Sequence, residues 1–181
     1  MGGALNSGSS IEWWTPPEIF DALGIGFDLD PCAPMPPAAP WLPTAERICL
    51  PGDGLEAPWF GRVWLNPPYG REAAAWVAKL ADHGDGIALV FNRADAKWCQ
   101  DAITRASAIC LIRGRLSFID GAGRERKGHN AANGSMLIAF GAECARAVLN
   151  CGLGVSLPVG QPKDHTPPYQ GVAGEEETND E

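Results

Sequence analysis

Arg62-Val63-Trp64-Leu65, Glu72 to Ala81, Gly86-Ile87-Ala88-Leu89-Val90-Phe91, Ala94 to Ala106 and Ala108-Ile109-Cys110-Leu111-Ile112 succeed one another along the middle of this 181-residue chain, and together they decide its fold. The first, third and fifth segments are short apolar runs, as expected of strands buried on both faces. The second is alanine-rich with Trp76, Val77 and Leu80 at helical spacing, and the fourth also reads as helix. Strand, helix, strand, helix, strand implies parallel βαβ units and an α/β domain with a mostly parallel sheet. Ligands bind such open sheets at the carboxyl ends of the strands. Asn66-Pro67-Pro68-Tyr69 stands at one of those ends, directly after the first run.

Outward from this centre, Gly26-Phe27-Asp28-Leu29-Asp30 alternates like a strand and stops at Pro31. Before it, Thr15 followed by Pro16-Pro17-Glu18 predicts a helix start with Thr15 as hydroxyl cap, and Gly24 predicts its end. Downstream, Leu116 to Ile119 and Ser135 to Phe140 predict an antiparallel C-terminal strand pair joined by the loop from Gly121 to Gly134. A short helix over Glu143 to Leu149 and an edge strand over Gly154 to Leu157 complete the expectation. Residues 1–10 are Gly/Ser-rich and expected to be disordered, and 158–181 form a Pro-rich, then acidic tail expected to be disordered too. One domain, 11–157, lies between them.

Composition narrows the class. With 45% hydrophobic and 20% charged residues the chain is globular. No window approaches the roughly 18 unbroken apolar residues of a membrane span, and no signal peptide opens the sequence. Six cysteines form no C-x-x-C pair and only three histidines are present, so no metal site is predicted and the thiols are expected to be reduced. The net charge of −8 alone argues against nucleic acid. Its distribution argues the other way: Glu175 to Glu181 hold five acids and no base, whereas Arg93 to Gly128 hold eight Lys/Arg against four Asp/Glu.

Asn-Pro-Pro-Tyr after a strand carries specific chemistry. Two prolines fix the backbone and lack N–H groups, so the motif offers acceptors. The Asn66 side-chain oxygen and the Pro67 carbonyl can each accept from a planar exocyclic amine, and Tyr69 can stack on the ring bearing it. Two acceptors draw such an amine toward tetrahedral geometry and free its lone pair for attack on a sulfonium methyl. Catalysis is then positioning and electrostatics, without a strong base.

At this point the sequence resembles the amino-methyltransferases that use S-adenosylmethionine. The likeness extends through Trp14-Thr15-Pro16-Pro17-Glu18, Phe27-Asp28-Leu29-Asp30-Pro31-Cys32-Ala33, Asp53-Gly54-Leu55 with Pro58-Trp59, Arg93-Ala94-Asp95-Ala96-Lys97-Trp98, Gly114-Arg115-Leu116-Ser117-Phe118 and Ser135-Met136. In that order, from about Glu12 to Phe140, it is similar to the phage and prophage Dam-like DNA N6-adenine methyltransferases. The resemblance implies a Rossmann-like fold and transfer of a methyl group from S-adenosylmethionine to adenine N6 in DNA. It implies base flipping and residence in the cytoplasm of a bacterial host cell, with no membrane partner.

Residue by residue, the resemblance implies Asn66, Pro67, Pro68 and Tyr69 as catalytic. Trp14, Thr15 and Pro16 would border the methionine part of the cofactor, or serve only as a cap and staple. Asp30 would accept the ribose hydroxyls, with Asp28 either sharing that role or solvated. Pro31, Cys32 and Ala33 would pass beneath the cofactor, and Asp53 would accept its adenine amine or simply close a turn. Arg93, Asp95, Lys97 and Trp98 would contact the flipped base or its phosphates, or form a polar helix start with one core tryptophan, and Arg115 would face DNA or be a surface residue beside a hairpin. Arg124, Arg126 and Lys127 have the donor chemistry for phosphates and base edges, or form an ordinary solvated charged loop. One departure stands out: no Gly-x-Gly loop follows Asp30, so the amino-acid end of the cofactor must be held differently. Two rival functions share parts of this pattern. One is methylation of another amine, on protein glutamine or RNA guanine; the other is a non-catalytic nucleotide- or DNA-binding domain.

Overall fold

The computed structural model describes residues 13–49, 52–68, 70–120 and 133–160. The elements run β1 (Trp13–Trp14), α1 (Pro17–Leu23), β2 (Phe27–Asp30), β3 (Thr44–Arg47), β4 (Val63–Leu65), α2 (Ala73–His83), β5 (Gly86–Phe91), α3 (Lys97–Arg105), β6 (Ala108–Ile112), β7 (Ile119–Asp120), β8 (Ser135–Phe140), α4 (Ala142–Asn150) and β9 (Gly154–Pro158). A seven-stranded sheet has the order β3-β2-β4-β5-β8-β6-β9. Strands β2 to β5 are mutually parallel; β8 is antiparallel to both its neighbours, and β9 to β6. The fold is therefore α/β with a mostly parallel central sheet, and β1 and β7 make a second, two-stranded antiparallel sheet.

Each face of the large sheet has its own core, as the period-two alternation of strand side chains requires. Trp64 and Leu89 face one side with Ile19, Phe20 and Leu23 of α1 and Cys144 and Val148 of α4. Val63, Leu65 and Val90 face the other with Trp76, Val77 and Leu80 of α2 and Cys99 of α3. The apolar runs that carry no alternation in sequence are thus strands covered on both faces. Gly24 closes α1 in the left-handed conformation (φ 62°), its N–H donating to Phe20 O at 3.0 Å.

Two expectations are corrected. Leu116 to Phe118 lie outside strands; only Ile119–Asp120 is a strand there, and it pairs with Trp13–Trp14, not with β8. β8 is buried at all six positions and inserts between β5 and β6. Its side chains fill both faces of the sheet while its backbone pairs along both edges, so it sits inside the sheet and not in a separate hairpin with β7. Thr15 does not cap α1 either. Pro16 occupies the cap position and no side chain caps the helix, because a hydroxyl one residue earlier is beyond the reach of the first-turn N–H groups.

Candidate active site

β4 delivers Asn66 to the carboxyl rim of the sheet, and two segments distant in sequence hold it there. The Asn66 side-chain Nδ2 donates to the Trp13 carbonyl oxygen at 3.0 Å. Its main-chain oxygen accepts from the Cys32 thiol, Sγ to O 3.1 Å. A carbonyl oxygen can only accept, so the amide nitrogen faces Trp13 and Oδ1 is the other end of the group. Pro67 is buried and Pro68 exposed. Tyr69 lies outside the described residues.

The loop after β2 adjoins this motif through Cys32. Asp30, the last residue of β2, is 3% exposed, and its Oδ1 accepts from Cys32 N–H at 3.1 Å. Burial pushes its carboxyl up to about 7, against the downward pull of the Cys32 N–H and of Arg47. Burial, and then the neighbouring Asp30, pushes the Cys32 thiol well up, so the sulfur keeps the proton it donates to Asn66. A buried carboxylate at a strand end, with its charged form under-compensated, fits a ligand that brings hydroxyl donors, such as a ribose. A second under-used group is close in sequence to the Asn66 anchor: Thr15 is 2% exposed and its Oγ1 has no partner. The adjoining segment is fixed by Trp41 Nε1 donating to Thr15 O at 2.9 Å, with the Trp14 and Trp41 rings 6.2 Å apart. Ala33 is buried and its N–H donates to Ile48 O at 3.1 Å.

Next to Asn66 a cavity of about 320 Å³ opens between the loop after β4 and the ends of β5 and α3, lined by Pro67, Arg71, Phe91, Arg93 and Trp98 among others. Flat walls and two guanidinium groups suit an aromatic ring attached to a phosphate. Arg93 is paired with Asp95, Nε to Oδ1 3.2 Å. Ser135 pairs in register with Phe91, and its buried Oγ has no partner. Arg71 was not singled out from sequence; the available signal was a cation two residues beyond the motif and two before α2.

Other residues singled out in the sequence are placed away from this junction or given other partners. Asp28 Oδ2 accepts from Arg62 N at 2.7 Å, before the end of β2. Asp53 is exposed and its Oδ1 accepts from Leu55 N at 2.9 Å, closing a turn. Lys97 pairs with Asp101 at 2.6 Å along α3. Arg115 is exposed. Arg124, Arg126 and Lys127 lie outside the described residues, as do 1–12 and the tail from 161. Among the described residues no cluster of His, Cys, Asp and Glu could hold a metal ion, all six cysteines are free thiols, and no helix is long and apolar enough to cross a membrane.

Lys79 is a structural tie that sequence reading missed. Its ammonium donates to the carbonyls of Leu55 and Ala57, the latter at 2.7 Å, and lies 4.9 Å from the centre of the Trp59 ring. It ties the segment around Asp53 to α2, and nothing in an alanine-rich helix marks one lysine for that task.

No match was found among curated proteins or among solved structures. The family model for DNA N-6-adenine-methyltransferase (Dam), however, matches residues 5–149. That span contains Asn66, Asp30 and every wall of the cavity, and with four-fifths of its length so matched the chain belongs to the DNA N-6-adenine-methyltransferase (Dam) family.

Proposed function

We propose that this chain transfers the methyl group of S-adenosylmethionine to N6 of adenine in DNA, on a base flipped out of the helix. The observation that carries the reading is the way Asn66 is held. Its amide nitrogen donates to the Trp13 carbonyl at a strand terminus that is linked through Cys32 to a buried carboxylate and adjoins, through Pro67, a cavity with two arginines. S-adenosylmethionine, when bound, supplies an electrophilic methyl group on a sulfonium sulfur. Asp30 would accept the ribose hydroxyls, with Pro31, Cys32 and Ala33 beneath and Trp14, Thr15 and Pro16 bordering the amino-acid end. Thr15 Oγ1 suits that end, where no glycine-rich loop is present.

The cavity would take the adenine, with Phe91 and Trp98 offering aromatic faces and Arg71 and Arg93 meeting the flanking phosphates; the motif's Tyr69 would stack on the same ring. Asn66 Oδ1 and the Pro67 carbonyl would accept the two N6 protons and localise the nitrogen lone pair. As the bond from N6 to the methyl carbon formed, the sulfur–methyl bond would break to leave a neutral thioether, and N6 would become cationic and then lose a proton to water; the two acceptors would stabilise that developing charge.

Incubation of unmethylated DNA with the protein and S-adenosylmethionine, followed by digestion and nucleoside mass spectrometry, should yield N6-methyladenine. No methylated adenine on duplex or single-stranded DNA would sink the reading.

A further inference from the structure

The acceptor pair explains why an oxygen is needed at position 66, but not why it must belong to an amide. A carboxylate offers more acceptor capacity and would serve an amine at least as well. The difference lies at the other end of the side chain, where Nδ2 meets the Trp13 carbonyl at 3.0 Å. That carbonyl is not free to turn away. Trp13 and Trp14 are paired with Asp120 and Ile119 of β7, and the next residue, Thr15, is held through its own carbonyl by Trp41.

Resting on the transferase reading above, we infer that the Trp13 carbonyl is a positioning group that fixes the polarity of the Asn66 amide, so that position 66 requires a neutral group with one donor and one acceptor. An ionised carboxylate there has no hydrogen for Trp13; carbonyl and carboxylate oxygens repel at that distance and the side chain swings off the rim. A protonated carboxyl restores the pattern, its O–H donating to Trp13 O and its C=O taking the place of Oδ1. The β1 segment is thus part of the catalytic apparatus without touching the base.

Asn66→Asp tests this. Methyl transfer at saturating cofactor is measured from pH 8 down to pH 5 and expressed as the ratio of variant to wild-type kcat. The ratio cancels titrations common to both proteins at Asp30 and Cys32, which adjoin Asn66, and at Asp120, which pairs with Trp13. The expected result is a loss of at least about 100-fold at pH 8, with the ratio rising as pH falls. A variant within about threefold of wild type at pH 8, or a ratio that stays flat, overturns the inference. A second readout does not depend on the reaction: the melting-temperature gap between the two proteins should close as pH falls. If wild type produces no N6-methyladenine, the transferase reading has failed, and a pH-independent gap would overturn the polarity claim separately. If Asn66→Asp does not fold at any pH, solvent exchange of the wild-type Asn66 side-chain amide decides. Slow exchange supports the inference, and exchange at the rate of an exposed amide overturns it.

Discussion

Asp30 carries an electrostatic cost at the rim, and its titration sets two opposite pH dependences. Its carboxyl, pushed up to about 7 by burial, sits above its unfolded value. Its contribution to stability is therefore full below the ordinary carboxylate range and is lost as pH rises through about 7. Hydroxyl donors from a ribose favour the ionised form, so cofactor affinity should move the other way, weakening by up to roughly tenfold per pH unit below the free-state value. Isothermal titration between pH 8 and 5.5 measures this, and a flat profile would remove Asp30 from the ribose site. Asp30→Asn should raise the melting temperature of the free protein at pH 8 by roughly 3–8 °C while abolishing the rise that S-adenosylmethionine gives wild type. Cys32 makes a separate demand. Cys32→Ser keeps a donor for the Asn66 carbonyl and should hold kcat within about threefold, whereas Cys32→Ala removes it and should cost about tenfold, with cofactor affinity nearly unchanged in both. Equal rates for the two variants would make the thiol mere filling.

Among the elements, the segment after β2 is held by close approach as much as by bonds. A Cβ at Gly54 would stand 1.9 Å from Pro31 O and 2.8 Å from the Trp76 ring. Gly54→Ala must therefore displace backbone, and should cost roughly 1–3 kcal/mol in urea unfolding while weakening cofactor binding through Pro31; wild-type values for both would show that the loop yields freely. This contact could not be read from Gly52-Asp53-Gly54, which as sequence is simply a turn. What could be read was whatever depends on local pattern. β5, β6 and β8 lie where their apolar runs put them, since burial on both faces leaves an uninterrupted signature. β3 escaped because an edge strand of Thr44, Ala45, Glu46 and Arg47 is half-exposed and shows no alternation. β1 and β7, two residues each, exist only through their pairing with one another. The same division runs through the site. The strand-end positions of Asn66 and Asp30 were legible in sequence, whereas the Trp13 carbonyl and Lys79 make contacts that no spacing encodes.

On the scale of the whole molecule, net charge proves a poor guide to partners and segment charge only a better one. The excess of bases between Arg93 and Gly128 is partly spent locally: Arg93, Lys97 and Arg105 pair with Asp95, Asp101 and Asp82. Exposed pairs of this kind are worth little and can open to phosphates. DNA binding should accordingly be steeply salt-dependent. Deleting Glu175 to Glu181, which removes five acids, should tighten binding by roughly threefold to tenfold at low salt and leave it unchanged above about 0.5 M salt. Equal affinity at low salt would retire any competition between tail and DNA. The order of the sheet has a further consequence, for synthesis. β8 bonds to β5 along one edge and to β6 along the other. A growing chain makes β5 and β6 first, and they must wait with facing edges open until Ser135 to Phe140 leave the ribosome. A product terminated before Ser135 would carry the whole of Asn66 to Gly70 and yet have no closed sheet to display it on.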